Sequence, residues 1–351
     1  MLFRSGGHNQ GGGGEQGAEV WTFDLRTARW TLKEPNTSPP GVCCNAQNVY
    51  DTDHDRYVRF PFFSGSHGWQ WSRELYLNDS SVWTYDLSAN RWRNMRPLPA
   101  PQLAPYRCAS WDSDERVVVV FAGEGSREGT LIYDPTRNEW RWPKPANEPA
   151  PRSGGNMTYD AARKLHVLFG SQFDNDMHTW TYDIRTNVWR DMQPTTQPPT
   201  NKNDAVLTYD PVHRVVLAII KVTTGEDDAA QHELQTWSYD GGTNAWQRML
   251  PSAEPEPSGN RARNLVFAPE WNLAILENCP SKPREQQIWT YRYGPSDQST
   301  LPSDPKLSAR ALVEDAVVSV MSATEVQLSW TPPVEVAPQG YFVERAAVEV
   351  W

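Results

Sequence analysis

Four of the seven histidines lie in polar connections that follow short apolar runs of the chain: His8, His67, His178 and His232. Neutral imidazole nitrogens are good ligands for copper and zinc. A metal site would require these side chains to converge, and their spacing along the chain does not show that they do. We therefore predict no resident cofactor and keep Cu or Zn at these histidines as an alternative.

A second group of candidates is aromatic. The stretch 64–73 reads SGSHGWQWSR and places Trp69 and Trp71 two residues apart, between His67 and Arg73. Flat aromatic surfaces bind the face of a sugar or a partner's side chain at a small entropic cost. The alternative is a long loop that folds its own tryptophans over a sheet edge. We predict ligand binding at this stretch.

Other polar residues in equivalent connections complete the predicted binding set: Arg127, Asp174, Asp176, His178 and His232. Acidic pairs of this kind are solvated by default, and Ca²⁺ is their alternative ligand. Gly11 to Gly14 are not followed by the Lys-Ser/Thr of a phosphate-binding loop. The sequence supports no Ser-His-Asp arrangement.

These residues must be positioned by a unit that recurs along the chain, with Trp180 to Trp189 as its fullest copy. Trp180 and Tyr182 alternate with polar residues, which is typical of a β-strand. Asp183 can accept a backbone N–H two residues on, and Asn187 suits a position with positive φ, so the unit is predicted to be a β-hairpin. The tryptophans assigned to this repeated structural role are Trp21, Trp30, Trp83, Trp92, Trp140, Trp180, Trp189, Trp237, Trp246 and Trp289.

A second pattern alternates with the hairpin and adds two strands to each unit. One strand ends in an aromatic residue and Asp, as in Tyr159-Asp160, and the next is an apolar run, as in Leu165 to Phe169. We name the four strands A to D in chain order. Units of about 50 residues with four strands predict a β-propeller. Six units are recognisable, the first without strand A and the last without an evident strand D. An incomplete ring is one interpretation, and Met1 is predicted to be a truncated or misassigned start.

The repeat resembles the kelch propeller, as found in the central domain of the galactose oxidase family. The match is fullest in residues 151–160, 167–170 and 180–189 and covers residues 1–294. This resemblance implies an all-β propeller that serves either as an enzyme or as a binding module. Copper oxidation of the galactose oxidase type is not favoured, because the chain has no Tyr-His dipeptide and no cysteine that we can match to the family's Tyr–Cys crosslink.

Beyond the repeats, residues 295–311 are predicted to be a linker rich in Pro, Ser and Asp. Residues 312–351 resemble the first strands of a fibronectin type III domain, through Val326 to Pro333 and Gly340 to Arg345. A complete sandwich needs about 100 residues, so we predict a partial domain. Propellers joined to such modules imply an extracellular or cell-surface protein, although no signal peptide is visible.

Composition excludes several function classes. The net charge is −10, from 33 Lys+Arg against 43 Asp+Glu, which argues against nucleic-acid binding. Mean hydropathy is −0.68, and no apolar run is long enough for a transmembrane segment. The four cysteines, Cys43, Cys44, Cys108 and Cys279, are too few for a disulfide scaffold. The adjacent Cys43 and Cys44 are predicted to be small buried thiols, with one disulfide as the alternative.

Loop variation predicts where the function lies. The A–B and C–D turns are short and regular, whereas the B–C and D–A connections vary in length and composition. These variable connections emerge on one face of a propeller, and variable loops on a rigid scaffold usually bind ligands. We predict non-catalytic recognition of a protein or glycan there. The alternatives are a metal-dependent propeller enzyme, such as an oxidase or lyase, and a rigid spacer in a multidomain protein.

Overall fold

The protein is an all-β chain, as the sequence predicts. The computed structural model describes residues 2–8, 16–39, 42–43, 47–60, 63–64, 82–101, 107–121, 123, 128–152, 155–171, 178–199, 204–225, 230–280, 286–294, 317–322, 325–329 and 345–348. Within these ranges the only helix is a 3-10 turn, Pro269–Trp271. No described helix is long and apolar enough to cross a membrane.

Five four-stranded antiparallel sheets form the blades of a propeller, and each is an up-and-down meander in the order A-B-C-D. Blade 2 contains Val49–Asp51, Arg56–Arg59, Trp83–Asp86 and Arg91–Asn94. Blade 3 contains Cys108–Asp112, Val117–Phe121, Leu131–Asp134 and Glu139–Arg141. Blade 4 contains Asn156–Asp160, Leu165–Phe169, Trp180–Asp183 and Val188–Asp191. Blade 5 contains Asp204–Asp210, Val215–Thr224, Gln231–Asp240 and Ala245–Arg248.

Blade 6 has a fourth strand that the sequence did not reveal. Its strands A to C are Ser258–Ala268, Leu273–Pro280 and Gln286–Tyr291. Strand D is Arg345–Val348, which pairs antiparallel with strand C and places Arg345 opposite Trp289. The expectation that this blade lacks strand D was therefore wrong, because its edge is paired by residues far along the chain.

The first unit, called blade 1 here, is a three-stranded sheet of Leu2–His8, Gln16–Asp24 and Arg29–Lys33. The strand register identifies these strands as B, C and D. Leu2 lies opposite Phe23 in blade 1, and Tyr57 of strand B lies opposite Tyr85 of strand C in the same way in blade 2. Two short strands pair with each other: Val42–Cys43 and Phe63–Ser64. The first precedes strand A of blade 2 along the chain, and the second follows strand B of that blade.

Two strands beyond the repeats form an antiparallel hairpin, Val317–Ser322 with Glu325–Ser329. This pair alone does not define a fibronectin type III domain. The domain boundaries at 294 and 311 stay predictions, and Arg345–Val348, inside the predicted last domain, pairs with blade 6.

The core is a series of contacts between successive blades. Val58 and Phe60 of blade 2 pack on Val118 and Trp140 of blade 3, and equivalent clusters join blades 3 to 4, 4 to 5 and 5 to 6. Phe23 and Trp30 of blade 1 pack on Ile275 and Ile288 of blade 6. The first and last units therefore meet, and the hydrophobic contact closes the ring.

Turn chemistry follows the sequence pattern closely. The C–D turns have positive φ at Ala28, Asn90, Asn138, Asn187 and Asn244, all near 50°. Asp183 accepts the N–H of Arg185, two residues on, at 2.9 Å. The asparagine also binds its own strand C, since the Tyr182 hydroxyl donates to Asn187 Oδ1 at 2.9 Å.

Asparagine also joins neighbouring blades. The Asn187 amide donates to the Pro143 carbonyl of the preceding blade at 2.8 Å. Blade 1 has Phe23 and Ala28 at the equivalent of the Tyr–Asn pair, so neither hydrogen bond can form there.

Candidate binding face

The meander of each blade places the A–B and C–D turns at one end of the propeller and the B–C and D–A connections at the other. The structure gives these two faces different chemistry. One is built of repeated, mutually bonded turns, and the other overlies a group of buried cations.

The turn face is closed by carboxylates that bind their own turns. Asp112 and Asp160 end their strands A almost fully buried. Asp112 accepts the N–H groups of Asp114 and Glu115 at 2.9 and 2.8 Å. Asp160 accepts those of Ala162 and Arg163, both at 3.1 Å. These side chains replace backbone partners within the turn, and their burial keeps them from a ligand.

Ion pairs then join the turns of successive blades. Arg116 of blade 3 binds Asp53 of blade 2, and Lys164 of blade 4 binds Asp114 of blade 3 at 2.6 Å. Arg163 of blade 4 reaches Asp240 of blade 5 at 2.6 Å. The turns of blades 2 to 5 are therefore joined into a structural band.

The opposite end contains one almost fully buried cation from each of blades 2 to 6, in this order: Arg59, Arg107, Arg152, Lys221 and Arg263. Arg59 ends strand B of blade 2, and Arg107 and Arg152 precede strands A of blades 3 and 4. Lys221 lies within strand B of blade 5, and Arg263 lies within strand A of blade 6. Burial of a charge is unfavourable unless it is paired. We call these five residues the cation collar.

An ion pair joins blades 5 and 6 within the cation collar. Arg263 binds the Asp204 carboxylate at 3.0 Å and the Ser258 hydroxyl at 2.7 Å. Lys221 lies opposite Asp204 in the strand register. Burial and the charge of Arg263 lower the pKa of Lys221, and Asp204 opposes that effect.

Aromatic rings and glycines position the other arginines. Arg59 lies over the Trp92 ring at 5.7 Å, and Arg107 lies over Phe60 at 5.5 Å, both within cation–π range. The stem of Arg152 packs on Gly155, where an added Cβ would lie 3.0 Å from Arg152 Cδ and 2.8 Å from the Gly170 carbonyl oxygen.

Two side-chain amides, those of Gln47 and Asn156, join the inner strands of different blades. Gln47 of blade 2 accepts the N–H groups of Ala109 and Met157, from blades 3 and 4, at 3.1 and 3.0 Å. Asn156 of blade 4 accepts the N–H of Leu207 in blade 5 at 3.0 Å. Inner strands of four blades are thus held together by side chains.

Of the predicted site residues, His178 and His232 are described with their side chains. His178 Nδ1 lies 2.7 Å from Asp191 and His232 Nδ1 lies 2.9 Å from Thr223, so each exposed ring contacts its own blade. Burial and the nearby Lys221 lower the pKa of His232. Among the described side chains, no three His, Cys, Asp or Glu are placed to hold a metal.

The remaining predictions are not tested by the described structure. His8 is described in its backbone alone, at the end of the first strand of blade 1. The other candidates lie outside the described residues: His67, Trp69, Trp71, Arg73, Arg127, Asp174 and Asp176. Cys108 is a buried thiol, and burial raises its pKa to about 12, with Arg152 opposing.

One arrangement missed by the sequence resembles a catalytic relay. Ser110 Oγ lies 2.6 Å from His166 Nδ1, and His166 Nε2 lies 3.2 Å from Asp112. All three side chains are buried between blades 3 and 4, with His166 at 0% exposure. No substrate reaches them, so we interpret the relay as a polar tie between blades.

The cation collar was also missed, although it leaves a signal in the sequence. Arg59 interrupts an otherwise apolar and aromatic run, and Lys221 follows VVLAII directly. A cation at the end of a buried strand indicates a charged environment, but its partners come from other blades.

Comparison with known proteins supports the fold. No family model matches the chain. The chain is similar to the structure of YjhT, with a TM-score of 0.52 and 10% identity over 82% of this chain and 95% of that one. It is also similar to a chain of a nidogen/laminin complex, with a TM-score of 0.50 and 9% identity over 80% and 91%. At these identities the likeness shows a shared β-propeller fold.

Proposed function

We propose that the protein is a non-catalytic recognition module that binds a protein or a glycan through its B–C/D–A face. The observation that supports this most directly is the difference between the two faces. The turn face is bound into a structural band, whereas the opposite face has connections that vary between blades.

The predicted ligand residues belong to these variable connections, in stretches such as 64–73 with Trp69 and Trp71. The cation collar lies at the same end of the propeller.

The finer parts of this proposal rest on resemblance. We propose a kelch-type propeller of the galactose oxidase central-domain kind, followed by fibronectin type III-like residues, in a protein outside the cytoplasm or on the cell surface. The similar chain from the nidogen/laminin complex is consistent with a protein-binding role.

Binding to an array of defined neutral and acidic glycans, and to purified extracellular-matrix proteins, tests this function. We expect at least one saturable ligand, weakened by Trp69→Ala or Trp71→Ala with little change in melting temperature. A large stability loss in these variants would instead mean that the rings are structural.

A matched pair of charge reversals identifies the face. Glu233 is exposed in blade 5 near the B–C connection, and Glu115 is exposed in an A–B turn of blade 3. Glu233→Lys should change ligand affinity and Glu115→Lys should not. No saturable ligand, or an effect of Glu115→Lys alone, would contradict the proposed function.

A further inference from the structure

The strand that completes blade 6 belongs to a segment that also lies beside blade 1. Arg345–Val348 pairs with strand C of blade 6. Cα atoms of Glu325–Ser329, in the hairpin beyond the repeats, lie within 8 Å of Cα atoms of Arg29–Lys33, which is strand D of blade 1. We call Val317–Ser322, Glu325–Ser329 and Arg345–Val348 together the tail strap.

One segment of chain can make both of these contacts. Blades 1 and 6 are neighbours, because Phe23 of blade 1 packs on Ile288 of blade 6. Packed sheets lie about 10 Å apart. The chain from Ser329 to Arg345 can reach up to about 50 Å when extended, at about 3.3 Å per residue. The tail strap is therefore long enough to cross the joint between blades 1 and 6.

Strand register shows which main-chain groups the strap bonds in blade 6. In blade 4 the Met192 N–H donates to the Thr179 carbonyl at 2.8 Å. Ile288 holds the position of Thr179, since each residue directly precedes the first tryptophan of its hairpin. Ala346 lies opposite Ile288. Alternation along an antiparallel pair therefore directs the Ala346 N–H at the Ile288 carbonyl.

The joint that the strap crosses depends on the same residue. The Ile288 side chain packs in one cluster with Phe23 and Trp30 of blade 1. Trp30 lies in Arg29–Lys33, the strand beside the hairpin. The strap is thus placed against both of the strands whose side chains form the joint.

Other support for this joint is weak. Phe23 and Ala28 stand where blades 2 to 5 have the Tyr–Asn pair, so neither hydrogen bond of that pair can form. Trp30 Nε1 is buried without a partner among the described residues. A backbone that holds Ile288 in place is therefore important to the closure of the ring.

We propose that the tail strap is a closure device, which holds the joint between blades 1 and 6 from the outside and opens the ring there when it is released. The rest of the ring has its own ties. Gln47 and Asn156 join the inner strands of blades 2 to 5. Opening is therefore confined to blades 1 and 6, and it exposes Phe23, Trp30 and Ile288 to solvent.

Two proline variants of the whole chain test the bond between the strap and blade 6. Ala346→Pro removes the N–H directed at Ile288. Ala347→Pro is the matched control, since Ala347 lies opposite Gln287 and its N–H is directed away from strand C. Proline is tolerated at such a position of an edge strand. Circular dichroism checks that both variants fold.

Native-state hydrogen exchange is the readout. Ala346→Pro should accelerate exchange by about tenfold or more in Gln286–Tyr291 of blade 6. Gln16–Asp24 and Arg29–Lys33 of blade 1 should accelerate with it, because the joint opens as a unit. Exchange in blade 4 should not change, and Ala347→Pro should resemble the unsubstituted chain.

Exchange of the unsubstituted chain at low urea concentrations tests the proposal without a substitution, even if Ala346→Pro does not fold. Gln286–Tyr291, Arg345–Val348 and the strands of blade 1 should open together, at a lower urea concentration than blade 4.

Three outcomes would overturn the proposal. The first is acceleration in blade 6 alone, which would mean that Arg345–Val348 supports its own sheet and not the joint. The second is an equal effect of Ala346→Pro and Ala347→Pro. The third is opening of blade 1 at low urea while Arg345–Val348 stays protected. The measurements use no ligand, so none of these outcomes bears on the function of the B–C/D–A face.

Discussion

At the scale of single residues, the side chain just before strand C decides whether a buried tryptophan in the next blade is hydrogen-bonded. That tryptophan lies in strand D of the next blade. Trp189 Nε1 donates to Thr130 at 2.8 Å, and Trp246 Nε1 donates to Thr179 at 2.8 Å. Blade 2 has Val82 at this position, in one cluster with Trp140. Trp140 Nε1 is buried and has no hydrogen-bond partner among the described residues.

Val82→Thr should therefore stabilise the fold. The new hydroxyl has nearly the shape of the valine methyl and can accept the Trp140 N–H, which adds about 0.5–1.5 kcal/mol to the free energy of unfolding. Urea unfolding measures the change. Thr179→Val makes the opposite change at the equivalent position of blade 4. It should destabilise the fold by about 1–3 kcal/mol, since it leaves the Trp246 donor buried and unsatisfied.

Loss of stability in Val82→Thr, with a stabilised Thr179→Val, would show that the hydroxyl does not meet the indole. The position would then be one where apolar packing outweighs hydrogen bonding.

A buried carboxylate makes stability depend on pH. Burial alone would raise the pKa of Asp112, but hydrogen bonds from His166 and from the Glu115 and Asp114 N–H groups outweigh burial and hold this pKa below its usual value. A carboxyl whose pKa is lowered by folding stabilises the protein above its unfolded pKa. That contribution is lost as pH falls through the folded pKa.

We expect the free energy of unfolding to fall as pH is lowered below about 4, the ordinary pKa of Asp. Asp112→Asn keeps the turn acceptor and removes the titrating group, so its stability should fall less steeply with acid. Urea midpoints measured between neutral and acidic pH give both slopes. Identical slopes would mean that Asp112 does not contribute to acid sensitivity.

At the scale of the element, the hairpin repeat shows what local sequence can determine. Asp183 and Asn187 predict the turn because both contacts lie within a few residues. Arg263 and Asp204 come from different blades, and their contact depends on the whole ring. The same reason explains why strand D of blade 6, Arg345–Val348, was not predicted.

The features of the candidate site likewise divide into those that local sequence determines and those that depend on contacts between blades. The end of the propeller at which the B–C and D–A connections emerge follows from strand order and could be predicted. His178 lies between strands B and C as expected, whereas His232 lies within strand C, opposite Thr223. Convergence of side chains could not be predicted, because it depends on the angles between blades. The relay of Ser110, His166 and Asp112 joins two blades and left no local pattern.

Trp189 tests the energetic role of the repeated tryptophan. Its ring is 1% exposed; it stacks on Tyr182 and packs at a tilt against Phe121, with centroids 5.0 Å away in each case. Trp189→Ala should cost about 3–5 kcal/mol by leaving a cavity between blades 3 and 4. Trp189→Phe keeps an aromatic ring but loses the bond to Thr130, so its cost should be clearly smaller. An unchanged melting temperature in Trp189→Ala would contradict the packing described here.

At the scale of the whole molecule, the ring is closed by its least supported unit. Blade 1 has three strands and lacks the Tyr–Asn hydrogen bond of blades 2 to 5. Trp30 Nε1 is buried against Ile288 without a partner among the described residues. The flanking inner face is exposed at Tyr50 and Val266.

Native-state hydrogen exchange should therefore show the lowest protection in blade 1 and the highest in the strands of blades 4 and 5. Local opening requires less free energy where fewer apolar contacts and hydrogen bonds hold an element. Trp30→Ala should accelerate exchange in blades 1 and 6, which share its cluster, and leave blade 4 nearly unchanged. Uniform protection around the ring, or equal acceleration in every blade, would mean that the propeller opens as a single cooperative unit and that the joint between blades 1 and 6 is as stable as the other interfaces.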